Sequence, residues 1–258
     1  MPTRARRAEG REARPELRSR FHPESRFGAF TELDGAIRFY ARVRELLPPN
    51  GVALDIGCGR GTQGDDPVTV RRDLRILRGR CRSVIGIDVD PAGARNRFID
   101  EFRLIKSPRD WPVEDASVDL ALADFVVEHV ADPDAFFTQV ARVVRPGGHV
   151  CIRTINVNSY LGVASRLIPS RFHYKVLRRA HSAREAEDVF PTVYRCNTRR
   201  RLRDALERHG FEAVVYTSED EPSYLTFSSF TYRLGLFHRR LAPRAVLIGL
   251  VGWGRRLP

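Results

Sequence analysis

Residues 52–61, VALDIGCGRG, join an apolar run to three glycines at alternate positions, Gly57, Gly59 and Gly61. The apolar part suits a buried parallel strand, and the glycines permit backbone angles and close approach that a Cβ would block. A nucleotide-like ligand can therefore touch the main chain at this turn. A second apolar run, residues 84–87, ends in Asp88-Val89-Asp90-Pro91. A carboxylate at the end of a neighbouring strand can accept hydrogen bonds from both hydroxyls of a ribose. Asp88 fits that role, whereas Asp90, directly before Pro91, reads as a turn residue. A nicotinamide fingerprint of the form G-x-G-x-x-G would place glycine at position 62, where the chain has Thr62.

These residues need an alternation of strands and helices to hold them. The apolar spacing of Leu33, Ile37, Tyr40, Val43 and Leu47 predicts a helix over residues 31–47, ended by Pro48-Pro49 and covering the ligand cleft. Asp66-Pro67 reads as the start of another helix, with Val70, Leu74 and Leu77 inward and Gly79 at its end. Residues 102–106, 118–123, 149–154 and 211–217 read as strands. Asp132-Pro133 opens a helix whose Phe136, Val140 and Val144 share a face and which Pro146-Gly147-Gly148 ends. Asn197 is the expected cap of a helix through Leu202 and Leu206 to Gly210.

VALDIGCGRG, then VIGIDVDP, then the block from Trp111 to Gly148 occur in the order and form found in class I S-adenosylmethionine-dependent methyltransferases, and the chain resembles that family from about Phe30 onward. The resemblance implies an α/β fold: a Rossmann-like, seven-stranded, mostly parallel sheet with its last strand antiparallel, helices on both faces and an inserted helical and aromatic lid. It implies S-adenosyl-L-methionine as cofactor. The main chain of Gly57, Cys58, Gly59 and Gly61 would hold the methionyl portion, with Asp55 accepting from its ammonium. Asp88 and Val89 would meet the adenosine, and the main chain of Asp124 and Phe125 would lie near the methionyl group. Where the family often has an acid facing the adenine amino group, this chain has Ser107. His129, in the Glu-His loop, and His173 are candidate bases for a hydroxyl acceptor, since an imidazole titrates near neutral pH; His129 could equally hydrogen-bond its own loop. No metal site is expected.

The chain has 258 residues, 42% of them hydrophobic, enough for one enzyme-sized domain. We expect residues 1–29 to be a basic, disordered segment, and residues 30–258 to be the methyltransferase domain, with substrate-lid insertions at about 156–195 and 223–242. Tyr160, His173, Tyr174, Phe190 and Tyr194 are lid or acceptor-pocket candidates in the first insertion. Phe227, Phe230, Tyr232, Leu236 and Phe237 suggest an aromatic cap in the second. The apolar run 245–253, flanked by arginines, reads as a seventh strand or as a peripheral membrane contact, and it is too short to span a bilayer. Cys58, Cys81, Cys151 and Cys196 show neither zinc-ligand nor disulfide spacing, which suits a reducing cytoplasm, and the Cys58 side chain reads as packing. The first 20 residues carry seven arginines, without the apolar core of a signal peptide.

Net charge is +12, from 44 basic and 32 acidic residues, but all of the basic residues except Lys106 and Lys175 are arginine. That pattern reflects codon usage as readily as a polyanion partner, and no specific nucleic acid is expected. The sequence therefore points to methyl transfer to the oxygen or nitrogen of a small-molecule or lipid-like acceptor. The alternatives are RNA methylation and a noncatalytic module that keeps the fold.

Overall fold

The structure is a computed structural model that describes residues 15–167, 191–222, 225–226 and 228–258. Seven strands, β1 (Val52–Ile56), β2 (Ser83–Asp88), β3 (Glu101–Leu104), β4 (Val118–Asp124), β5 (Val144–Ile155), β6 (Phe211–Ser218) and β7 (Gly249–Arg256), form one sheet in the order β3-β2-β1-β4-β5-β7-β6. The pairs β1–β2, β1–β4, β2–β3 and β4–β5 are parallel, and β7 runs antiparallel to both β5 and β6. This is the expected Rossmann-like sheet. Strand order reverses between β1 and β4, which opens a crevice at their carboxyl ends.

Both sheet faces are buried, as the near-continuous apolar strands require. Leu54, Ile56, Ala121, Ala123 and Ile152 face helices α4 (Pro133–Val143) and α6 (Arg199–Arg208), which contribute Phe137, Val140, Leu202 and Leu206. Ala53, Leu120, Leu122 and Cys151 face α2 (Gly35–Leu46), through its Phe39, Tyr40 and Val43. The other α-helices among the described residues are α1 (Pro15–Phe21), α3 (Thr69–Arg75), α5 (Tyr160–Leu167) and α7 (Ser229–Leu241). Among the described residues no helix is long and apolar enough to cross a membrane.

Several expectations are corrected. Residues 15–29 are folded: α1 is followed by a 3-10 turn over Pro23–Arg26, and Leu17, Arg18 and His22 are buried, so the boundary at 29 falls inside ordered chain. Asp34 caps α2 by accepting from the Ile37 N–H, which places its start four residues after Thr31. Asp66 does not begin α3. Its Oδ1 accepts from the Val68 N–H and its carboxylate pairs with Arg71, and Val70 is exposed. Thr198, not Asn197, caps α6. Pro146-Gly147-Gly148 form the irregular entry of β5, where pairing with β4 jumps from Val144 to His149. The run 245–253 enters through a 3-10 turn and continues as β7, the strand reading of the two.

Candidate functional site

Because β1, β2 and β4 are parallel, their carboxyl ends bring Gly57, Asp88 and Asp124 to one edge. The N–H groups of Gly57 and Cys58 both donate to the Ile87 carbonyl, at 2.8 and 3.2 Å, which ties the glycine turn to β2. Gly57, Gly59 and Gly61 all have positive φ, at 65, 51 and 82°. A Cβ on Gly57 would lie 2.7 Å from the Val126 side chain, whereas one on Gly59 would meet nothing within 4 Å. The space beside Gly59 is thus open.

The Asp88 carboxylate accepts from the Gly59 N–H and the Asp90 N–H, each at 2.9 Å. Each oxygen retains acceptor capacity for a ligand hydroxyl. Val89, next in the chain, is 61% exposed. Asn96, which sequence reasoning missed, is buried and donates to the Cys58 carbonyl at 2.9 Å, while its side-chain oxygen accepts from Phe98. It pins the far side of the turn. Burial pushes the Cys58 thiol up, and Asp55 and Asp88 add to the shift, so it stays neutral and serves as packing. Ser107 lies beyond β3 in a small bridge with Asp110, its hydroxyl accepting from the Arg109 N–H.

Asp55, half-buried at the end of β1, has its carboxyl pushed up to about 7, mainly by burial and further by Asp124 and Asp88. Burial acts on Asp124 in the same sense, but the Arg153 guanidinium overrides it and holds this carboxyl below its usual range. Arg153 donates to both Asp124 oxygens, at 2.7 and 2.8 Å, and Tyr40 of α2 donates at 2.8 Å. The guanidinium also lies 4.9 Å from the Phe125 ring centroid and 5.3 Å from that of Phe39. Phe125 itself has φ +57° and donates its N–H to the Arg153 carbonyl. Arg75 lies over the Tyr40 ring at 5.9 Å and 3.6 Å from Asp66. Neither arginine carries a motif signal, and both reach the edge only through the fold.

In the Glu-His loop the two residues divide their work. Glu128 is buried and structural: Thr154 Oγ1 donates to it at 2.6 Å, Asn197 donates to that Thr154 oxygen at 2.7 Å, and the Glu128 carbonyl accepts from Val193 and Tyr194. Tyr194, expected in a lid, is instead buried beneath this loop. His129 Nδ1 lies 3.0 Å from the Pro191 carbonyl. A carbonyl only accepts, so Nδ1 is the donor in this contact. His173, Tyr174, Phe190 and Phe227 lie outside the described residues. Beyond β6, Glu219 is buried, accepts from the Ile248 N–H at 2.9 Å and faces His238 Nδ1 at 3.7 Å. Burial, with Asp220 adding, pushes its carboxyl up to about 7.

A family described as a methyltransferase domain matches residues 29–216. Over 108 residues the chain is 37% identical to an uncharacterised 37.1 kDa transposon protein of Streptomyces fradiae, covering 40% of this chain and 29% of that one. Over 103 residues it is 35% identical to a ubiquinone biosynthesis O-methyltransferase of Rhizobium etli, covering 40% of each. The chain thus spans less than half the length of these two curated relatives. Geranyl diphosphate C-methyltransferase from Streptomyces coelicolor, solved with S-adenosyl-L-homocysteine, shares the fold at TM-score 0.53 and 17% identity, over 86% of this chain and 75% of that one. Motif order, strand order and the extent of the family match agree, and the chain belongs to the class I S-adenosylmethionine-dependent methyltransferases.

Proposed function

We propose that this protein transfers a methyl group from S-adenosylmethionine to an oxygen or nitrogen of a small-molecule or lipid-like acceptor. The observation that carries the reading is the glycine turn stitched to the β2 acid, with open space above Gly59 and unused acceptor capacity on Asp88. The cofactor supplies an activated methyl group on a sulfonium, so the chain has mainly to align the acceptor and exclude water. Asp88 takes the ribose hydroxyls, Val89 and Ser107 flank the base, and Asp55 takes the ammonium. Three carboxylates, Asp55, Asp88 and Asp124, face two guanidiniums, Arg75 and Arg153, which leaves this edge anionic toward a cationic ligand once Asp55 is ionised.

For a hydroxyl acceptor, His129 Nε2 takes the proton as the oxygen bonds to the methyl carbon and the carbon–sulfur bond breaks. The Nδ1–H bond to the Pro191 carbonyl orients the ring and leaves Nε2 as the nitrogen assigned to proton transfer. The test is transfer of labelled methyl from S-adenosylmethionine into a metabolite extract, with cofactor binding followed separately by calorimetry. Cofactor binding together with a labelled small molecule is the expected result. Binding without any labelled product would leave a binding module, and label found in RNA alone would overturn the acceptor class.

A further inference from the structure

Helix α7 presents an apolar surface that the core does not use. Phe230, Leu234, Phe237 and Leu241 are 75, 54, 60 and 65% exposed. Their spacing of four, three and four residues confines them to a stripe roughly 60° wide at about 100° per residue. The helix cannot roll to hide them, because its opposite face is committed. Tyr232 is fully buried, with its ring 5.2 Å from Phe21 and 6.2 Å from His22, and a Cβ on Gly235 would lie 2.5 Å from Pro222. A capping box between Ser228 and Thr231 fixes the start of the helix. Phe230 and Phe237, expected as a cap on the cleft, therefore face away from the protein's core.

The charges that the helix itself carries share one sign. Helix α7 contains no acidic residue, and exposed Arg233 and Arg240 lie along one side of the stripe, with Arg244 just beyond its end. Such side chains lay their methylenes against an apolar layer and keep the guanidinium at its polar margin. Helix α1, which packs under α7 through Phe21, is preceded by residues 1–14, and these carry five arginines against two acids. A partner protein's groove would match the apolar spacing alone. An anionic surface matches the spacing and the charge together.

We propose that α7 is an in-plane docking helix for an anionic lipid bilayer, with the Phe230–Leu234–Phe237–Leu241 stripe in the interface and the arginines at the headgroups. This goes beyond the methyl-transfer reading and is tested without any acceptor, so either can fail while the other stands. The test is co-sedimentation of the full chain with vesicles of phosphatidylcholine alone and of phosphatidylcholine mixed with phosphatidylglycerol. The wild-type chain should sediment with the mixed vesicles and far less with the neutral ones. Leu234→Glu with Phe237→Glu should abolish sedimentation while leaving cofactor affinity and the circular dichroism spectrum unchanged. Arg233→Gln with Arg240→Gln keeps the apolar stripe and should weaken binding to mixed vesicles about tenfold or more, at roughly 1 kcal/mol per arginine. Wild-type chain left in the supernatant, or glutamate variants that bind as well as wild type, would overturn the proposal. A wild-type dimer in sedimentation velocity that the glutamate pair turns into monomers, with no vesicle binding, would make the stripe an interface between copies instead.

Discussion

Asp55 is the residue whose charge is most exposed to change. Its carboxyl titrates in the folded protein at about 7, above its ordinary 3.8, so its contribution to stability is complete below pH 4 and is lost as pH rises through 7. Asp55→Asn should remove that part of the slope and raise the melting temperature at pH 8, by the equivalent of about 2 kcal/mol once partial exposure is allowed for. A cationic ligand favours the ionised carboxyl, so affinity for S-adenosylmethionine should strengthen as pH rises through 7 and become flat in Asp55→Asn. Glu219 shares the stability slope but lies away from the glycine turn, so Glu219→Gln should flatten the stability profile and leave the affinity profile alone. Calorimetry and thermal melts from pH 5 to 8 separate these outcomes. At Gly59 a Cβ meets no protein atom within 4 Å, so Gly59→Val should remain folded, carrying about 1 to 2 kcal/mol of left-handed strain, and lose cofactor binding. Unchanged affinity would refute the assignment of the glycine turn to the cofactor. The glycines and Asp88 could be read from the sequence because their chemistry depends on local spacing. Arg153, Tyr40 and Asn96 could not, because the Tyr40–Asp124 bond joins residues 84 positions apart and the Asn96–Cys58 bond residues 38 apart.

At the scale of elements, the Glu-His loop is held by β5 and by the chain entering α6. Thr154→Val removes the hydroxyl that donates to buried Glu128 and accepts from Asn197, and should destabilise the protein by about 1 to 3 kcal/mol in urea unfolding. His129→Ala should leave stability and cofactor affinity near wild type and lower turnover of a hydroxyl acceptor by about 100-fold to 10,000-fold. A neutral amine acceptor would lose much less. If His129→Ala weakens binding and spares turnover at saturating cofactor, the imidazole is a loop fastener. Strands β1, β2 and β4 lie within a residue of their apolar runs, since a buried parallel strand leaves a contiguous signature. Helix starts were less legible. Asn197-Thr198 and Asp66-Pro67 each offer a plausible cap, and the choice is made by distant partners: Thr154 and Ile155 take the Asn197 amide, and Arg71 takes Asp66.

Over the whole molecule, the arginine excess should produce retention on any polyanion column that collapses with modest salt, because charge without base-reading contacts gives only counterion-driven binding. Retention that survives salt on one RNA sequence would favour the RNA alternative. The placement of β7 has a different consequence, one of timing. It is the last strand in chain order yet sits between β5 and β6, so β6 has no neighbour until β7 arrives. The five strands from β3 to β5 in the sheet can assemble as the chain emerges, while β6 waits with both edges open to stray pairing. Pulsed hydrogen exchange during refolding should therefore protect amides of β1 and β4 before those of β6, and β6 and β7 should gain protection in a single step.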